Sequence, residues 1–176
     1  MSTRNSLFAA AGLALALAQL PAASAAMAET PGLGKPISEA DLALWDISVP
    51  PDGKGLPPGS GTAVQGAAIY AQKCELCHGK DGYGGKNAEL ANAPGKNERT
   101  MATYVPTATT IFDFTRRAMP WPQPKSLTNE EVYALTAFIL ARNKIIGEND
   151  VVNAETLPKV QMPNRDGFVS RYPDKH

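Results

Sequence analysis

Cys74-Glu75-Leu76-Cys77-His78 is the most informative stretch of this sequence. Two thiols one helical turn apart can reach the two vinyl groups on one edge of a porphyrin, and the next residue then projects under the iron. The motif therefore predicts one covalently bound haem c, attached through Cys74 and Cys77, with His78 as the proximal iron ligand.

Other interpretations of the two cysteines explain less of the pattern. A dithiol redox pair is expected in a βαβ setting, whereas the residues around this motif have a helical pattern. A zinc site needs about four ligands, and the sequence offers two cysteines and two histidines, one of which is the last residue, His176. A simple disulfide would require neither His78 nor an export signal.

Chain length and net charge limit the number of domains and the kinds of partner that we expect. A chain of 176 residues predicts one domain with extensions. Lysine plus arginine equals aspartate plus glutamate at 17 each, so the whole molecule has no strong field that attracts nucleic acid or anionic lipid. We expect no nucleic-acid partner.

The first 28 residues have the three-part pattern of a secretory signal. Arg4 gives a basic start, Leu7–Leu20 form an apolar run, and small residues follow. We expect cleavage after Ala25 or Ala28 and a periplasmic protein without stable membrane insertion. An uncleaved anchor is the alternative, but the run is shorter than the ~20 apolar residues that span a bilayer.

Segments rich in proline, glycine and polar residues flank a helical region. The prolines and glycines of residues 29–62 exclude a long helix, although a capping box at Ser38 predicts one short helix, with Trp45 packed on the core. Residues 147–176 are polar and interrupted by proline, with no clear period. We predict irregular N- and C-terminal arms around one domain at residues 63–146.

Apolar periodicity predicts three main helices and no strand. The first runs from Ala63 to His78 and carries the cysteines, and the second runs from near Thr107 to Arg117. The third, from Asn129 to about Asn143, has the strongest signal because Thr128 and Glu131 form a capping box before an apolar period. The predicted fold class is therefore all-α.

A methionine is expected as the second axial ligand, because a thioether raises the haem potential and suits an electron carrier. Met119 is the best candidate, since Pro120 and Pro122 would hold the chain extended beside the ring. The alternatives are Met101, Met162, Lys125 and His176.

From about Gly61 to Ile146 the sequence resembles the class I cytochromes c. Gly66 and Tyr70 match the glycine and aromatic positions that those proteins place where the N-terminal helix crosses the C-terminal helix. Leu135 and Phe138 are the candidates on the opposite helix. The resemblance implies an all-α, class I cytochrome c-like haem domain.

A narrower resemblance concerns Ala108–Pro120 and Ser126–Ala137, together with the arm segments Trp45–Ile47 and Leu56–Thr62. These stretches resemble the cytochrome subunit of the sulfane dehydrogenase of the Sox sulfur-oxidation system and its relatives in sulfite dehydrogenases. In that family a molybdenum-cofactor subunit oxidises the sulfur compound, and the haem subunit accepts the electrons one at a time. Some relatives carry two haems, whereas this sequence has one C-x-x-C-H motif.

The resemblance also implies residues around the haem edge. Arg116 and Arg117 would bind the haem propionates, because arginine offers planar donors and stays charged. Tyr104 and Trp121 would add hydrogen bonds. The alternative for the two arginines is that they complement the negative end of a helix in solvent.

The function expected from these observations is electron transfer and not catalysis. We expect the protein to accept electrons from a molybdenum-cofactor dehydrogenase subunit that oxidises sulfane or sulfite sulfur. The electrons would pass on to a downstream c-type cytochrome. The two arms would bind the dehydrogenase subunit, because proline-rich tails with scattered apolar residues can wrap a partner surface.

The sequence leaves one alternative function open and argues against another. A freely diffusing periplasmic carrier would present a basic patch near the haem edge, for which the candidates are Lys73, Lys80, Lys86 and Lys96. A haem enzyme would need an open iron position with an acid or base nearby, and beyond the motif His176 is the one histidine that the sequence offers for that role.

Overall fold

In the computed structural model of the chain, residues 33–169 and residue 171 are described. The predicted signal segment at residues 1–28 and the terminal His176 lie outside them. Residues 33–38 belong to a separate short unit and contain no helix or strand, and the larger unit starts at Glu39.

Helices make up nearly all the regular structure of the described residues, which confirms the all-α class. The helices are α1 (Glu39–Trp45), α2 (Ala63–Lys73), α3 (Glu75–His78), α4 (Met101–Tyr104), α5 (Ala108–Ala118) and α6 (Asn129–Arg142), followed by a 3₁₀ turn at Leu157–Lys159. The short strands β1 (Ser60–Gly61) and β2 (Val152–Asn153) were not predicted. No helix in the described ranges combines the length and the apolar character needed to cross a bilayer.

Helix α6 is the central element of the core. Thr128 Oγ1 accepts a hydrogen bond from the N–H of Glu131, and the Glu131 carboxylate accepts one from the N–H of Thr128, so the predicted capping box starts the helix. Nine consecutive residues, 132–140, are then buried. A helix that is buried on all sides must be covered by other elements all round, and α2 and α5 supply much of that cover.

Helix α2 crosses α6 at very close range because Gly66 has no side chain. A Cβ atom at Gly66 would lie 2.0 Å from the carbonyl oxygen of Ala134. One turn later, Tyr70 stacks on Phe138 with ring centroids 4.5 Å apart, and both rings are buried. The predicted roles of Gly66, Tyr70 and Phe138 at this crossing are confirmed, and Leu135 is buried in the same core.

The C-terminal segment contributes to the core although its backbone is irregular. Val152, Leu157 and Met162 are at most 4 % exposed and belong to the main apolar cluster. They are spaced five residues apart, a spacing that fits neither a helix nor a strand, so the apolar pattern of the sequence did not predict their burial. Strand β2 also pairs with β1 in antiparallel register, Ser60 opposite Asn153 and Gly61 opposite Val152.

The N-terminal segment is anchored after α1 and not by α1 itself. None of the residues of α1 is buried, and Trp45 is 72 % exposed, so the expectation that Trp45 packs on the core is wrong. The anchor is Val49, which is buried and donates its N–H to Asp113 Oδ1 at 3.0 Å. Arg116 Nη1 adds a donation to the carbonyl oxygen of Ile47 at 3.2 Å.

Candidate cofactor site

The first cysteine stands at a break between two helices, and the second lies within the helix that follows. Cys74 separates α2 from α3 and donates its N–H to the Tyr70 carbonyl oxygen at 2.9 Å, while the Cys74 carbonyl oxygen accepts from the N–H groups of Cys77 and His78. The predicted single helix from Ala63 to His78 is thus divided at Cys74. Both thiols are free and half-buried, whereas Leu76 between them is 93 % exposed.

The orientation of His78 leaves one ring nitrogen available for a ligand bond. His78 Nδ1 lies 2.8 Å from the carbonyl oxygen of Ala88. Because a carbonyl oxygen can only accept a hydrogen bond, Nδ1 carries a proton, and in the neutral imidazole the lone pair is then on Nε2. This is the tautomer that a metal-binding histidine needs.

A glycine-rich loop brings Ala88 to His78. Gly79 has φ +83°, and a Cβ atom there would lie 1.8 Å from the Tyr83 carbonyl oxygen, so the loop turns back at that point. At Gly85 a Cβ atom would lie 2.3 Å from the Cys77 carbonyl oxygen, which also accepts from the N–H of Asn87 at 3.0 Å. The loop therefore returns along the motif before it reaches Ala88.

Burial controls the protonation of the groups beside the motif. It raises the pKa of the Cys74 thiol to about 11, with Lys73 lowering that pKa and Cys77 raising it further. Burial also raises the pKa of Tyr70, whose hydroxyl donates to the Gly79 carbonyl oxygen at 2.8 Å. At neutral pH both groups are neutral, so Cys74 is present as a thiol.

The donor set fits a covalently attached porphyrin better than a bare metal ion. Within residues 33–169 and 171, no three or more His, Cys, Asp or Glu side chains converge on a point where an ion could sit. A structural zinc site would require about four such ligands. Two thiols on successive turns, followed by an imidazole with a free Nε2, instead match the attachment edge and the iron of a haem c.

The methionines differ in how far they are enclosed. Met119 follows α5 in an extended conformation, donates its N–H to the Thr115 carbonyl oxygen and has a half-buried side chain. Met101 begins α4 and packs against the core while half-buried. Met162 is 4 % exposed and fills the core. Met119 and Met101 are therefore the more accessible thioethers in the described part of the chain beyond the motif.

The residues predicted for the haem edge either have other partners or are exposed. Arg116 donates to Ile47, and Arg117 donates from Nε and Nη2 to both carboxylate oxygens of Asp113. Tyr104 is 46 % exposed, packs edge-on against Phe168 with centroids 5.4 Å apart, and lies under the Arg99 guanidinium. Trp121 is 83 % exposed.

The structure thus brings together part of the predicted site. Cys74, Cys77 and His78 occupy one continuous segment. Among the described residues, no hydrogen bond links that segment to Arg116, Arg117, Tyr104 or Trp121, and their roles toward the haem stay predictions. Sequence reasoning missed the carbonyl oxygen of Ala88, because a backbone acceptor leaves no mark on the residue type. The glycines after the motif were the available signal for a folded-back loop.

Comparisons with known proteins agree with this chemistry. Residues 61–139 match the family model described as cytochrome C oxidase, cbb3-type, subunit III. Among curated proteins, no sequence matches significantly. The chain is similar to a chain in the crystal structure of the sulfane dehydrogenase SoxCD from Paracoccus pantotrophus, with 33 % sequence identity and a TM-score of 0.72. That similarity covers 83 % of this chain and 73 % of the other.

The structural similarity is longer than the family match. Residues 61–139 are fewer than half of the 176 residues, whereas the similarity to the SoxCD chain covers 83 % of them. It therefore includes residues outside the range of the family match.

Proposed function

We propose that this chain, which belongs to the class I c-type cytochromes, is a periplasmic mono-haem electron-transfer subunit that serves a molybdenum-cofactor dehydrogenase acting on sulfane or sulfite sulfur. The observation that carries the proposal is the arrangement of Cys74, Cys77 and His78, with His78 Nδ1 held 2.8 Å from the Ala88 carbonyl oxygen. The similarity to a sulfane dehydrogenase chain supports the kind of partner.

Cys74 and Cys77 would hold the haem covalently. Each thiol would add across one vinyl group, with the sulfur bonded to one vinyl carbon and the thiol proton transferred to the other. No oxidant is needed. Both side chains are half-buried and unpaired, and the neutral thiol that burial maintains at Cys74 is the species that this addition consumes.

His78 would provide the proximal ligand through Nε2. Its hydrogen bond to Ala88 fixes the ring and increases the electron density on the ligating nitrogen. When bound, the haem iron supplies one-electron chemistry, because it alternates between the ferric and ferrous states. The protein's own contribution is to orient that group and to set its potential.

Met119 would supply the second axial ligand. It is the first residue beyond α5 in extended conformation, and its side chain is neither enclosed in the core nor fully in solvent. Met101 is the competing candidate. Of the two predicted propionate ligands, Arg116 is the better one, since it uses only Nη1 to donate to Ile47, whereas Arg117 uses both Nε and Nη2 to donate to Asp113.

A stable complex is favoured over free diffusion. A diffusing carrier relies on a basic patch, but Lys73 is paired with Glu131 and Lys96 with Glu98, which leaves Lys80 and Lys86 of the predicted four. The similarity to the SoxCD chain covers 83 % of this chain, more than the family match at residues 61–139, which supports a role for residues outside that range in binding the dehydrogenase subunit. Electrons would then leave to a downstream c-type cytochrome.

The test uses the mature protein purified with its haem. Mixed with a molybdenum-containing sulfane or sulfite dehydrogenase subunit and its substrate, it should be reduced with one electron per chain and should co-elute with that subunit at physiological salt. Reduction that collapses at raised ionic strength, without co-elution, would instead identify a diffusing carrier. No reduction by either enzyme would refute the assignment to sulfur oxidation.

The axial assignment has its own test. Absorption spectra of Met119→Ala and Met101→Ala should differ: the weak charge-transfer band of methionine bound to ferric iron should vanish in the first and persist in the second. The reverse result would assign the ligand to Met101. Met162→Leu is the control, since Met162 is enclosed in the core.

A further inference from the structure

We propose that Asn143 is a positioning residue for His78, which fixes the loop that presents the Ala88 carbonyl oxygen and thereby helps to set the reduction potential. The inference rests on the proposed function in one respect: His78 must ligate the haem iron. It assigns a role to a side chain that does not touch the motif.

Asn143 caps the C-terminus of α6 and reaches across to the glycine-rich loop. Its Nδ2 donates to the carbonyl oxygens of Leu90 and Ile139, both at 2.8 Å. Its Oδ1 accepts from Thr100 Oγ1 at 2.9 Å. All the polar atoms of this half-buried amide are thus used, and Thr100, which is 2 % exposed, determines which end of the amide faces Leu90.

The loop is held on both sides of Ala88. On one side, Asn87 donates its N–H to the Cys77 carbonyl oxygen at 3.0 Å. On the other side, Leu90 donates its N–H to the Gly82 carbonyl oxygen at 2.7 Å and receives Asn143 at its own carbonyl oxygen. Of these three hydrogen bonds, two lie within the motif and its loop, and the third is donated by Asn143 at the end of α6. The bond from Asn143 therefore couples the position of Ala88 to the core helix α6.

The strength of the bond between His78 and Ala88 affects the two oxidation states unequally. A short Nδ1–H···O bond makes the imidazole a stronger donor toward iron, and a stronger donor favours the ferric state. If Leu90 is released, the loop relaxes and the bond to His78 lengthens. The ferrous state is then stabilised relative to the ferric state, so the reduction potential rises.

The decisive variant is Asn143→Leu, which keeps the branched shape and adds no charge. At a fixed ambient potential we expect the ratio of oxidised to reduced protein to fall about three- to tenfold, an upward shift of the midpoint of about 30–60 mV at 59 mV per tenfold. In reduced protein labelled with ¹⁵N-histidine, the Nδ1 proton of His78 should exchange with solvent at least tenfold faster than in the parent protein.

Thr128→Ala is the matched control. It removes the cap at the other end of α6 and so destabilises the same helix, without touching the loop. Its midpoint and its exchange rate should equal those of the parent. An equal shift in Thr128→Ala would refute the positioning role, because general destabilisation would then explain it.

A second variant keeps the inference testable if Asn143→Leu does not accumulate. Thr100→Val removes the hydroxyl that orients the amide but leaves Asn143 in place, and a smaller upward shift is expected. Haem-loaded variants with unchanged midpoint and unchanged proton exchange would overturn the role of Asn143. A parent chain that carries no covalent haem would refute the proposed function instead.

Discussion

Lys73 Nζ lies 2.6 Å from Glu131 Oε1, so that the last turn of α2 is joined to the first turn of α6. The same carboxylate accepts the N–H of Thr128 through its other oxygen and closes the capping box. One side chain therefore both starts the central helix and ties it to the helix that leads to the motif.

The Lys73–Glu131 pair predicts a pH dependence of stability. Burial alone would raise the pKa of Glu131, but the hydrogen bonds from Lys73 and Thr128 lower it below its ordinary value. A lowered pKa in the folded state stabilises the protein above the unfolded pKa of about 4.3, and the gain is lost as the pH falls through the folded pKa.

We therefore expect Glu131→Gln to lower the free energy of unfolding at pH 7 by about 0.5–1 kcal/mol. The difference from the parent should shrink as the pH falls below about 4.5. Denaturant unfolding at a series of pH values measures this. Glu130→Gln, at the exposed neighbouring position, is the control; a difference from the parent that does not change with pH would contradict the prediction.

The crossing of α2 and α6 predicts that Gly66 is irreplaceable. In Gly66→Ala the new methyl group would meet the backbone of Ala134, which cannot move aside as a side chain does, and a loss of about 2–3 kcal/mol is expected. Gly84→Ala is the comparison: it has φ +73° but open space around it, so about 1 kcal/mol is expected. Equal losses in thermal unfolding would argue against crowding at the crossing.

Covalent attachment of the haem predicts that the denatured parent chain is heavier, by one haem, than a variant that lacks both cysteines. The denatured parent chain should retain one haem, and Cys74→Ser or Cys77→Ser alone should retain it through a single thioether in lower yield. The double variant should lose it entirely on denaturation. Leu76→Ala, at a position 93 % exposed, should behave as the parent does. Mass spectrometry of the denatured chains distinguishes these outcomes, and haem lost from the parent would refute attachment.

The hydrogen bond from Val49 to Asp113 anchors the N-terminal segment, so we expect its loss to loosen that segment without unfolding the domain. Asp113→Ala removes the acceptor for the Val49 N–H, so residues 39–60 should be cleaved faster in limited proteolysis while the unfolding free energy falls by only about 1–2 kcal/mol. Arg117→Ala, which leaves the bond between Asp113 and Val49 intact, is the control. Equal cleavage of the two variants would show that the arm is held elsewhere.

The elements that the sequence predicted share one property, namely a repeated local signal. Helices α5 and α6 have apolar residues at helical spacing, and Thr128 with Glu131 marks a start that the structure confirms. The C-x-x-C-H motif is similarly local. Its interpretation needed no tertiary information.

What the sequence did not predict depends on single residues or on the backbone. Leu157 and Met162 are isolated apolar residues in a polar segment, and their burial depends on the other residues of the main apolar cluster; the turn that contains Leu157 contacts α5. Trp45 is exposed because Val49, and not Trp45, anchors the N-terminal segment. Val49 does so in part through its backbone N–H, which the residue type does not reveal. The hydrogen bond at Ala88 depends on a carbonyl oxygen that every residue possesses.

The pairing of β1 with β2 has a consequence for the geometry of the whole subunit. Ser60 and Asn153 are about 90 residues apart in the sequence but face each other across an antiparallel ladder, so the segments before and after the main helices meet at one place. The residues directly before Ser60 therefore lie beside those directly after Asn153. A partner protein that binds the residues directly before Ser60 is therefore close to the residues directly after Asn153. A single contact area can then include both segments.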